Sequence, residues 1–61
     1  MKYQKIMSYD IDFHGDITHH AEIQVRNFLF WHTVTEISDE DYDYVSDRAD
    51  EIIDILKNPA R

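Results

Sequence analysis

From Tyr3 to His14 apolar and polar residues alternate. Tyr3, Met7, Tyr9, Ile11 and Phe13 fall on one side near Lys5, and Gln4, Ser8, Asp10, Asp12 and His14 fall on the other. A period of two puts successive side chains on opposite faces of an extended chain, so the segment reads as a half-buried strand. Ile6 interrupts the polar side. The only glycine, Gly15, follows beside Asp16, and His14 to Asp16 reads as the turn of an antiparallel hairpin. A second strand is expected from near Ile17. There Ala21, Ile23 and Val25 alternate with His20, Glu22, Gln24 and Arg26, yet Phe28 and Phe30 continue on the opposite parity. A slip of phase near Asn27 requires a bulge or a tight bend, leaving one bent strand or two. Two is the preferred division, the later strand running from Phe28 to about Glu36. Phe28, Leu29, Phe30 and Trp31 are apolar on both faces, which suits a strand covered by a helix on one side and by a partner subunit on the other.

The period then changes. At 100° per residue Tyr42, Val45, Ala49, Ile52, Ile53 and Leu56 share one arc, and Asp39, Glu40, Asp43, Asp47, Asp50, Glu51 and Asp54 share an opposite arc about 120° wide. Ser38 is a suitable N-cap, with acids in the first turn at the positive end of the helix dipole. Lys57 stands in the last turn, and Asn58 with Pro59 ends the helix. The expected fold is α+β: an antiparallel sheet of two or three strands followed by one amphipathic helix, β-β-(β)-α, in a single domain covering residues 1–61.

Sixty-one residues support only a marginal core. With no cysteine, neither disulfides nor thiolate metal sites are available, and the composition suits a reducing cytoplasm. Oligomerisation is the remaining support, and eight aromatic residues supply material for it. A homodimer is expected, with Phe28, Phe30 and Trp31 at its interface. No apolar run approaches the roughly 20 residues of a membrane span, and the N-terminus has no signal-peptide core, so the chain reads as soluble and unexported.

The net charge of −7 is uneven: residues 1–35 carry four acids and three bases, residues 36–61 nine acids and three bases. Such a surface repels nucleic acid and anionic membrane, and attracts a basic groove, including one that normally holds nucleic acid. Seven carboxylates on one arc, with Arg48 the only base nearby, accumulate repulsion that a small domain would not ordinarily carry. Four residues of helix rise roughly 6 Å, comparable with the separation of backbone phosphates. Tyr44, Arg48 and Ile55 lie on the flank between the arcs, a mixture common at interaction hot spots or equally suited to packing on the sheet.

Catalytic and metal chemistry find little footing. His19 and His20 are adjacent on a strand and point to opposite faces, so they do not chelate one ion. His14 and His20 approach across the hairpin, near Asp16 and Glu22, without a recognisable ligand motif. Thr33 and Thr35 lie near His32, but no glycine-rich loop or nucleophile elbow accompanies them. A catalytic carboxyl needs shielding that a solvated helix face lacks. The expectation is a binding protein with no enzyme activity, metal or cofactor.

Ser8, Tyr9 and Asp10 on the first strand, the hairpin, an acid and aromatic segment opened by Ser38 and Asp39, and Ala49-Asp50-Glu51-Ile52-Ile53 give a short acidic chain. It resembles the small uracil-DNA glycosylase inhibitors of podovirus-type Bacillus phages. Glu40 and Asp41 stand between Ser38-Asp39 and Tyr42-Asp43, where that family has the aromatic and the acid directly after Ser-Asp. The resemblance implies a dimeric DNA mimic that occludes the DNA-binding groove of the repair enzyme and holds, in an apolar pocket, the side chain the enzyme inserts into DNA. It further implies that Tyr42 lines that pocket and Asp43 meets the enzyme, whereas the helical reading puts Tyr42 on the buried arc. The partner-binding set is then Asp39, Glu40, Tyr42, Asp43, Tyr44, Asp47, Asp50, Glu51 and Asp54. Other readings are an anti-CRISPR protein, an inhibitor of a restriction enzyme or polymerase, an acidic adaptor or antitoxin-like partner, and a metal-binding protein.

Overall fold

The computed structural model describes residues 2–58. The chain runs β1 (Lys2–Ile11), β2 (Ile17–Asn27), β3 (Phe30–Asp39) and α1 (Tyr42–Lys57), three antiparallel strands followed by one helix in an α+β fold. The strand order is β1-β2-β3, so β2 is central and β1 and β3 are edges.

Asp12 ends β1 earlier than the alternation through His14 implies. Its Oδ1 accepts hydrogen bonds from the backbone N–H groups of His14 and Asp16, both at 2.9 Å, and its carbonyl accepts from Gly15 N–H at 3.0 Å. A short acid that bonds its own backbone competes with strand pairing and favours a turn. Gly15 sits at φ +88°, which an L side chain rarely adopts.

The phase slip near Asn27 is a tight turn. Asn27 pairs with Phe30, leaving Phe28 and Leu29 as a two-residue loop, so the third strand starts at Phe30. Only Phe28 of the two has a positive φ, +59°, the pattern of a type II′ turn, whose first central position normally holds glycine. Arg26 Nε donates to the Phe28 carbonyl at 3.2 Å and closes the loop. A bulge does exist, but in β3: Ile23 pairs with Thr35 and Gln24 with Thr33, so Val34 is the extra residue.

The third strand also runs further than Glu36, to Asp39, because Ser38 pairs with His20 and Asp39 with His19. Ser38 is therefore a strand residue. The N-cap is Asp41, whose Oδ1 accepts from Asp43 N–H at 2.9 Å and Tyr44 N–H at 3.3 Å. At the other end Asn58 is the C-cap, its backbone N–H bonding the carbonyls of Asp54 and Ile55, with Lys57 in the last turn; Pro59 lies outside the described residues.

Met7, Ala21 and Ile37 form one cross-strand row facing α1, and Lys5, Ile23 and Thr35 form the next. Ala21, Ile23, Val45 and Ala49 are fully buried, with Met7, Ile37, Ile52, Ile53 and Leu56 packed around them. Alanine on both sides lets helix and sheet approach closely, but it also limits the buried area. Among the described residues Ile23 and Val45 are the only large side chains wholly enclosed, each contributing about 2 kcal/mol.

Candidate protein-binding surfaces

A helix of 16 residues spans about 24 Å, whereas a strand of 11 residues spans about 36 Å. Because β3 delivers the chain to α1 beside His19, the helix begins there and runs back along the sheet. The β1–β2 hairpin end projects past it, and the β2–β3 turn remains uncovered at the other end.

The first surface is acidic. It begins on the connection after β3, where Asp39 Oδ1 accepts from Asp41 N–H at 3.0 Å. It continues along α1 through Asp43, Asp47, Asp50, Glu51 and Asp54, all exposed. Asp39 and Glu40 thus precede the helix, and five of the seven carboxylates expected on one helical arc belong to α1. The face is less unbalanced than its own segment implies. Lys5 reaches up from β1 to Asp50 at 2.8 Å and to Ser46 Oγ at 2.8 Å, and Arg48 pairs with Glu51 at 3.1 Å. Asp43 and Asp47 make no ion pair among the described residues. Asp54 is bonded to Asn58 through its side chain and carbonyl.

Beside the acids stands an aromatic group. Tyr42, on the arc expected to be buried, is half-exposed: its ring meets His19 edge-on with centroids 5.3 Å apart, and His19 in turn lies 6.4 Å from the Tyr9 ring. Tyr44 and Ile55 are also half-exposed on the opposite flank, so neither is core. Tyr42 and the acids are therefore contiguous, while Tyr44 is separated from Tyr42 by the helix.

The second and third surfaces are apolar and lie at the two ends. Ile11, Phe13 and Ile17 form the β1–β2 tip, with Phe13 93% exposed. No motif marks them. Their parity continues the helix-facing side, and only the mismatch of helix and strand lengths reveals that α1 does not reach them. Phe28, Leu29 and Phe30 form the other tip, exposed by 88%, 80% and 67%. α1 does not cover this segment as its two-sided apolarity suggested, because the turn carries Phe28 and Leu29 beyond the sheet. Trp31 stands apart from the tip on the sheet face away from the helix, opposite Arg26.

That open face is otherwise polar except at Ile6. Gln4 Nε2 donates to Gln24 Oε1 at 2.7 Å, and Thr33 Oγ1 donates to Glu22. His20 joins all three strands, 2.7 Å from Asp10 on β1 and 2.6 Å from Ser38 on β3, with Glu36 at 3.7 Å. Ser, His and Asp in a row is hydrolase chemistry in outline. Here Asp10 is 81% exposed at its side chain, water competes for each bond, and the row serves as a cross-strand tie. His14 does not meet His20; it stacks on Phe13 at 4.0 Å. Among the described residues no group of three or more His, Cys, Asp or Glu is arranged to hold a metal ion, and no helix is long and apolar enough to cross a membrane.

Comparison adds no relative. No family model, no curated protein and no solved structure matches the chain.

Proposed function

We propose that this protein is a non-catalytic inhibitor that occludes the DNA-binding groove of a nucleic-acid enzyme, with uracil-DNA glycosylase as the target, acting as a homodimer in a host cytoplasm. The observation that carries the proposal is the adjacency of two features. A row of carboxylates runs from Asp39 through Asp43 and Asp47 to Asp54, and a half-exposed Tyr42 stands at its start, supported from below by His19. The carboxylates stand in for phosphates in a basic groove, and charge complementarity speeds encounter. Tyr42 supplies apolar contact for a side chain protruding from that groove. Residence then depends on the apolar contact, since most differences in affinity reside in the off-rate.

The resemblance to phage inhibitors of uracil-DNA glycosylase, carried by Ser8-Tyr9-Asp10, Ser38-Asp39 and Ala49-Asp50-Glu51-Ile52-Ile53, supplies the choice of target. The test is titration of the protein into a uracil-excision assay with bacterial uracil-DNA glycosylase at low and high salt. Stoichiometric loss of activity, weaker at high salt, is the expected result. Full activity with excess protein at low salt would dismiss the target, and salt-independent inhibition would dismiss the phosphate mimicry.

A further inference from the structure

Two sheet edges are open, and they differ. β3 is bulged at Val34 and carries Glu36 and Asp39 without a base. A bulge and unbalanced charge are devices that keep an edge from pairing with another chain. β1 has no bulge and carries charges of both signs: Lys2–Ile11 is regular throughout its pairing with β2 and contains no proline. It is also the one element with a net positive charge, Lys2 and Lys5 against Asp10, in a chain whose net charge is −7. Like-charge repulsion between two copies is therefore least along this edge.

The sequence of β1 is moreover self-complementary. If two copies align antiparallel about Ile6, then Lys2 faces Asp10, Tyr3 faces Tyr9, Gln4 faces Ser8 and Lys5 faces Met7, each pair occurring twice by symmetry, and Ile6 faces Ile6 once, on the axis. Opposite charges, aromatic pairs and apolar pairs directly across an antiparallel ladder are each stabilising. A two-fold contact requires this kind of self-complementarity. Ile6 is the apolar residue that interrupts the polar face of β1, and it is 43% exposed in the single chain. Lys2 makes no ion pair among the described residues, and Tyr9 is 63% exposed.

We infer that β1 is the dimerisation edge, pairing with β1 of a second copy about Ile6 to form a continuous six-stranded antiparallel sheet. The inference rests on the homodimer element of the proposed function and assigns its surface, at β1 and away from Phe28, Phe30 and Trp31. The two-fold axis is normal to the sheet, so both helices lie on one face. With each helix packed chiefly over its own β2, the helix axes stand about three strand spacings, or roughly 14 Å, apart. The flank of α1 nearest β1 bears Asp50, so two acidic helices would stand side by side. Lys5 from each copy, already bound to Asp50, lies between them and offsets their repulsion. The dimer thus displays two parallel anionic rows on one surface, and leaves both apolar tips free at its periphery.

Sedimentation of the full chain over a range of concentration reads the first consequence, a dimer. Ile6→Cys reads the register. Facing residues of an antiparallel pair have Cβ atoms about 5 Å apart, and the chain has no other cysteine. Mild oxidation should therefore give a covalent dimer with Ile6→Cys and none with Val34→Cys. Lys2→Asp should weaken dimerisation at least several-fold and Lys2→Arg should leave it unchanged, with circular dichroism checking that each variant folds. A chain that stays monomeric at high concentration would overturn both the homodimer and this edge. A dimer that cross-links through Val34→Cys, or that folded Lys2→Asp holds as tightly as the parent, would overturn the β1 edge alone. Neither result depends on whether uracil-DNA glycosylase is inhibited.

Discussion

At the centre of the sheet Ala21 and Ile23 are sealed beneath Val45 and Ala49, whereas at the two hairpin ends Phe13 and Phe28 stand almost wholly in solvent. The larger apolar side chains are thus outside and the smaller ones inside. For a chain of this size that ordering is costly, because the surface a core removes from water is its main source of stability. The centre is built to be thin and closed, and the ends to be apolar and open. Stability is concentrated in a few side chains near the middle of β2 and α1, which leaves the acidic ridge, the tips and the edges little constrained by folding.

The largest effect that would break this division is at Ile23. Replacing it with alanine removes about a third of the enclosed aliphatic bulk, and such truncations cost about 2–5 kcal/mol. Marginal stability for a small domain is about 5 kcal/mol. Ile23→Ala is expected to be largely unfolded at room temperature or to lose about 10 °C or more in Tm, read by far-ultraviolet circular dichroism. A loss of only a degree or two would mean that the centre is not where the stability lies.

Much of that division could be read from the sequence, and the exceptions have identifiable causes. The alternation from Tyr3, the glycine at Gly15, the slip of phase at Asn27 and the helical period from Tyr42 gave the element order, with a third strand preferred. The helix starts later than a cap at Ser38 implies, because Ser38, Asp39 and Asp41 are all competent caps in isolation. Pairing of Ser38 with His20 and Asp39 with His19, a tertiary contact, draws the first two into β3 and leaves Asp41. The bulge at Val34 has no local signature. The acidic arc was legible from periodicity alone, but the Lys5 to Asp50 bridge joins positions 45 residues apart, and no reading of the helix by itself could find it.

A smaller and opposite effect is expected at the second tip. Phe28 occupies the type II′ position at φ +59°, where an L residue is strained by roughly 1–2 kcal/mol. Its ring is 88% exposed, so little burial is lost on removing it. Phe28→Gly relieves the strain, less the roughly 0.5–1 kcal/mol by which glycine favours the unfolded chain. The net is a gain of about 0.5–1 kcal/mol, or a few degrees in Tm. Truncation would then destabilise at the centre and stabilise at the tip, which is the comparison in its sharpest form. A fall in Tm for Phe28→Gly would show that the ring has a structural task within the fold. A rise would leave the strain as a feature retained for something outside it, consistent with the general association of strained backbone with functional positions.

The last expected change in stability, no larger than that at Phe28, carries the most functional meaning. Asp47 lies four residues from both Asp43 and Glu51, two like-charge neighbours on one helix face, and it makes no ion pair among the described residues. Each such pair is destabilising by about 0.2–0.5 kcal/mol. Asp47→Asn keeps the shape and removes both repulsions. It should raise Tm by a few degrees at low salt, with a smaller rise at high salt where the repulsion is already screened. The same substitution should weaken occlusion of the uracil-excision enzyme, with the triple change at Asp43, Asp47 and Glu51 weakening it further. A variant that folds more stably and inhibits less would separate the two demands on α1: its inner side, Val45 and Ala49, serves the fold, and its outer side opposes it. Were Asp47→Asn to inhibit as well as the parent at low salt, the carboxylate row would be a solvating face, and the partner would have to be sought at the apolar tips instead.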